Sequence, residues 1–115
     1  RTEGEVGGGA TLPGLAARIL ASLDSVMRTS QPDVVVVQGD TSSALLGALS
    51  AFYWKVPVAH VEAGLRTGRR YNPFPEEMHR RLITALATLH FSPTSLNAWN
   101  VLGEMAPAAA AAAVL

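Results

Sequence analysis

Apolar residues recur at Leu15, Ile19, Leu20, Leu23, Val26 and Met27, the three-to-four spacing of one helix face. Pro13 suits a first helical turn. The pattern predicts a helix that ends before Gln31-Pro32. Val34 to Val37 are four consecutive valines closed by Gly39, which predicts a strand buried on both faces. Residues 42–54 read as a second helix, capped by Thr41 or Asp40 and broken at Lys55-Val56-Pro57. Val58 to Val61 form a second strand. A crossover of this length forces parallel pairing, a βαβ unit of right-handed sense. Residues 63–75 hold Gly64, Gly68, Pro73, Pro75, Arg66, Arg69 and Arg70 and predict a long irregular loop, of a length that is often functional. From Glu76 to Leu86 the period is helical again, with Met78, Leu82, Ala85, Leu86 and Leu89 on one expected core face. His90-Phe91-Ser92 predicts a short third strand. Pro93-Thr94-Ser95 predicts a turn and a capped helix to about Leu102.

The ends look different. Residues 1–10 are polar and glycine-rich and are expected to be a flexible lead-in. Residues 106–115 are an alanine-rich, low-complexity tail. The folded part is therefore expected at 11–105, an α/β unit with a partial Rossmann-like parallel sheet and flanking helices.

Composition narrows the class of function. Apolar residues are 49% of the 115, enough for a core, while charged residues are 16%, below the common ~25%. That shortfall implies surface meant to be covered by something else. Lys plus Arg equals Asp plus Glu at 9 each, so no net field attracts nucleic acid or an acidic membrane. No cysteine is present, which excludes disulfides and thiolate metal sites. No apolar run reaches the ~18 residues of a membrane span. The expectation is a cytoplasmic protein.

Three acids stand at element ends. Asp40 follows the first strand in QGDT, and Glu62 follows the second in HVEAG. Ligands of parallel sheets bind outside the carboxyl ends of strands. Neighbouring strands lie about 5 Å apart, so both carboxylates would face one crevice, an arrangement suited to acid and base work. Asp40 serves equally well as a helix cap, and Glu62 as a solvated loop acid paired with Arg66. Glu76 and Glu77 follow Pro75, an ordinary helix start. At 100° per residue Glu76 shares a face with His79, Arg80 and Ile83. His60 ends an apolar strand, where a histidine is more often a satisfied core group than a catalyst. Arg66, Arg69 and Arg70 can hold phosphate or carboxylate, though loop arginines are usually solvated. No dinucleotide fingerprint, phosphate loop or metal-ligand cluster is present.

The string PDVVVVQGDTSSALLGALSAFYWKVPVAHVEAGLRTG, followed by YNPFPEEMHRRLITALATLHFSPT, resembles the central part of the N-terminal domain of non-hydrolysing UDP-N-acetylglucosamine 2-epimerases. The motifs GDT, HVEAGLRTG, FPEE with its following arginine, and HFSPT stand in that family's order. The resemblance implies a fragment of a GT-B-type enzyme with two Rossmann-like domains and the site in the cleft between them. It implies interconversion of UDP-GlcNAc and UDP-ManNAc by elimination and re-addition of UDP, with no cofactor (neither NAD nor an obligatory metal). The full-length family is expected to be a homodimer acting on a UDP-sugar. By motif, Asp40, Glu62 and Glu76 correspond to its catalytic acids. His60, Arg66 and Arg80 correspond to residues that shape or bind in its site. His79 departs from the family's usual asparagine. A fragment of this length is expected to be inactive alone. A hydrolysing epimerase, which releases free sugar, and a non-catalytic truncated domain are the alternatives.

Overall fold

The computed structural model describes residues 11–105. The expected lead-in at 1–10 and the tail at 106–115 lie outside the described residues. Helix α1 spans Leu12–Ser30. The Thr11 hydroxyl caps it, accepting from the Gly14 N–H at 3.1 Å, and Pro13 sits in the first turn, where no N–H is required. Gln31 ends it in the left-handed conformation, its N–H bonded to the Met27 carbonyl at 3.0 Å, and Pro32 prevents continuation.

Strand β1 is Val35–Gln38 and helix α2 is Ser42–Tyr53. The cap of α2 is Thr41, whose hydroxyl accepts from the Ala44 N–H at 3.1 Å. The neighbouring Asp40 carboxylate is thereby left for other contacts. Strand β2 is Val58–Val61, helix α3 is Glu76–Leu86, strand β3 is Leu89–Phe91 and helix α4 is Ser95–Glu104. The three strands are parallel in the order β1-β2-β3, the expected Rossmann-like arrangement. Register sets Val37, His60 and His90 side by side.

Met27, Ala44, Ala48, Ala51 and Ile83 pack against Val37 and Val58 in one core. Helices α1, α2 and α3 therefore cover one face of the sheet. The alanines of α2 are what let that helix approach the strands closely. No helix among the described residues is long and apolar enough to cross a membrane.

Two expectations are corrected. Strand β1 is not buried on both faces: Val37 is 7% exposed but Val36 is 62%. Alternation sends Val35 and Val37 toward the helices and Val34 and Val36 away from them, and a run of identical residues carries no sign of which face is covered. The expected face of Met78, Leu82, Ala85, Leu86 and Leu89 is not the core face of α3 either, although Leu86 packs against the core at its edge. The buried residues of that helix are Glu77, Arg80, Ile83 and Thr84, while Leu82 is 45% exposed. The inward polar groups are paired with one another and with a loop, which is what makes their burial tolerable.

Candidate active site

The carboxyl ends of β1 and β2 deliver two acids to one cleft. Gly39 takes a left-handed φ of 77° directly after β1 and turns the chain so that Asp40 looks over the strand end. Glu62 follows β2 at φ 67°, a conformation that costs a side-chain-bearing residue about 1–3 kcal/mol. The cleft has a volume of about 290 Å³ and is lined by Gly39, Asp40, Glu62, Leu65, Arg80, Pro93 and Asn97.

Each acid is held at one oxygen. Arg80 Nε donates to Asp40 Oδ2 at 2.8 Å, and among the described residues Oδ1 has no hydrogen-bond partner. Gln38 Nε2 donates to Glu62 Oε1 at 2.9 Å. A Cβ on Gly39 would stand 3.5 Å from Glu62 Oε2, so the second oxygen of Glu62 lies over the turn that carries Asp40. His79 Nδ1 donates to the Asp40 carbonyl at 2.8 Å. The imidazole thus anchors the same turn through its backbone.

His60 lies beneath this turn, fully buried, with Nε2 donating to the Gly39 carbonyl at 2.8 Å. Burial pushes its pKa below the ordinary 6.5. The neutral ring then carries its one proton on Nε2 and leaves Nδ1 bare. His90, its register partner, is equally buried, and neither of its ring nitrogens makes a hydrogen bond among the described residues. Burial, then the repulsion that protonating both adjacent rings would bring and the Arg66 guanidinium, lower its pKa also.

Arg66 does not line the cleft. Its Nε and Nη2 bind both oxygens of Glu104 at 2.8 Å, Nη2 also reaches Thr84 Oγ1 at 2.8 Å, and Nη1 binds the Leu65 carbonyl at 2.8 Å. It ties the loop after β2 to α3 and α4. Glu76 is half-buried at the start of α3 and does not line the cleft. Of the six residues singled out, Asp40, Glu62 and Arg80 line it together, His60 supports it from below, and Arg66 and Glu76 stand outside it.

A sequence profile described as UDP-N-acetylglucosamine 2-epimerase matches residues 5–113. The chain belongs to that family. It is 49% identical over 96 residues to the UDP-N-acetylglucosamine 2-epimerase of Escherichia coli K12, covering 84% of this chain and 26% of that protein. The Bacillus subtilis enzyme of the same name is 47% identical over 94 residues, 82% of this chain and 25% of that protein. The structure of the Neisseria meningitidis UDP-GlcNAc 2-epimerase bound to UDP-GlcNAc matches with a TM-score of 0.80 at 45% identity, covering 82% of this chain and 26% of that one. The chain spans about a quarter of the length of these relatives.

In this epimerase-family chain the structure adds four residues that the sequence did not single out. Gln38 holds Glu62, and Leu65, Pro93 and Asn97 line the cleft. A strand-end glutamine two residues before an acid carries a weak signal. The other three meet where Gly64, at φ 99°, rests on α4, a Cβ there lying 2.0 Å from the Asn97 carbonyl oxygen.

Proposed function

We propose that this chain supplies the acid-bearing wall of an active site that interconverts UDP-GlcNAc and UDP-ManNAc. The observation that carries the reading is the pair of singly held carboxylates, Asp40 and Glu62, at one cleft. Inversion at C2 requires that a base take the C2 proton while the C1–O bond breaks and its electron pair leaves with UDP. The 2-acetamidoglucal so formed is re-protonated at C2 from the opposite face as UDP adds back to C1. Carboxylates with a free oxygen suit both proton steps, and Arg80 beside them suits developing negative charge. Glu76 enters the proposal by its motif position alone. His60 acts by holding the Gly39 carbonyl, and Arg66 by docking the loop on α3 and α4. The reading carries with it a homodimeric cytoplasmic enzyme working on a UDP-sugar without a cofactor.

The test is a chimera in which this chain replaces the matching quarter of the Bacillus subtilis relative. It should convert UDP-GlcNAc to UDP-ManNAc, and Asp40→Asn or Glu62→Gln in the chimera should lower kcat by at least about a hundredfold. Release of free sugar with UDP would place the chain with hydrolysing enzymes. A folded chimera with no turnover would sink the reading.

A further inference from the structure

Glu77, next to the motif acid Glu76, is fully buried. An ion in that position costs several kcal/mol unless every lone pair is answered. Its Oε1 accepts from the Thr67 N–H at 3.1 Å and Arg80 Nη1 at 3.3 Å, and its Oε2 from the Gly68 N–H at 3.2 Å and Arg81 Nη2 at 3.1 Å. Burial raises its pKa, but the two backbone amides and Arg81 outweigh it and hold the carboxyl below 4.5. The acid is ionised, and its contacts run two ways: into the loop that leaves Glu62, and onto the arginine that grips Asp40.

We propose that Glu77 is a positioning residue for the cleft, pinning Nη1 of Arg80 so that its Nε side meets Asp40 Oδ2 while the loop from Glu62 stays docked on α3. This rests on the reading of the cleft as the place where Asp40 exchanges protons. A guanidinium can offer a carboxylate either its Nη1–Nη2 end or its Nε–Nη2 side. Glu77 holds Nη1, which closes the Nη1–Nη2 end to Asp40 and turns the Nε side of the guanidinium toward Oδ2. The charges also balance locally, with Arg80 and Arg81 against Glu77 and Asp40.

The experiment is Glu77→Gln in this chain, read by NMR at the Arg80 Nε–H and at the Thr67 and Gly68 amides. The charge goes but the shape stays, so the Arg80 Nε–H should shift and change its exchange rate about tenfold, with the two amides exchanging about tenfold faster. Methyl signals of Ile83 and Val101 should stay in place. Arg81→Ala removes a half-exposed guanidinium that contacts Glu77 and should leave the Arg80 signal unmoved. If Glu77→Gln does not fold, Glu77→Asp keeps the charge but cannot reach both the loop and Arg80, and the Arg80 signal should move the same way. A folded variant of either kind with the Arg80 exchange rate within twofold of the parent overturns the proposal. In an active chimera, Glu77→Gln should lower kcat about tenfold with KM nearly unchanged, and an unchanged kcat likewise overturns it. An inactive parent chimera counts against the epimerase reading alone, because the NMR result stands without turnover.

Discussion

Glu62 shows how a single residue trades stability for placement. Its φ of 67° is a conformation that glycine adopts freely and that other residues enter at a cost of about 1–3 kcal/mol. Glu62→Gly removes that strain together with the exposed hydrogen bond to Gln38. Chemical denaturation should therefore find the variant within about 1 kcal/mol of the parent, or more stable, while the chimera carrying it should lose turnover. The buried histidines make a second prediction. His60 and His90 both titrate below 6.5 when folded, whereas in the unfolded chain they take protons near that value. Their contribution is complete above pH 6.5 and declines as the pH falls toward the depressed values, at up to ~1.4 kcal/mol per pH unit for each ring. Glu77, lowered below 4.5, adds a contribution present above pH 4.5 and lost beneath it. Urea midpoints between pH 8 and pH 5 should fall in the parent. They should fall less steeply in His90→Leu, which replaces an unpartnered ring with an apolar side chain of comparable volume.

Elements were legible where local rules decide them. The α2 and β2 limits follow from Pro57 and the flanking caps, and α3 runs over Glu76–Leu86 as the period predicts. Which face of α3 turns inward was not legible. Glu77 with Arg80 and Arg81 at three and four residues' distance is the spacing of a surface ion network, and only the loop amides of Thr67 and Gly68 make it a buried one. Leu82→Lys, which the period would forbid, should change stability by less than about 0.5 kcal/mol, the range of an ordinary surface substitution. Ile83→Ala should cost about 2–5 kcal/mol, because Ile83 has no exposed surface. The site was legible to the same degree. Strand ends predicted that Asp40 and Glu62 share a crevice, but the cap role taken by Thr41 and the docking of the buried Arg66 on Glu104 depend on side-chain partners 3 to 38 residues away.

The described part of the molecule has one finished face and one that is open along β1. Helices α1, α2 and α3 close the first around Ile83, Val37 and Val58. On the second, Val36 is 62% exposed, Val34 46% and Phe91 39%, beside strand β1, which has no neighbour on its outer edge among the described residues. An apolar face next to an unpaired edge favours association. Sedimentation of this chain at increasing concentration should show oligomers, and Val36→Lys should shift the population toward the monomer. A concentration-independent monomer would mean the face is covered in solution. The cleft at the other end has a different character. Gly64 rests on the main chain of Asn97 with no side chain between them. The gap from Glu62 to α4 is thus a fixed gauge cut in backbone: side-chain variation can recolour this wall but cannot re-space it, and accommodating a bulkier guest falls to whatever stands opposite.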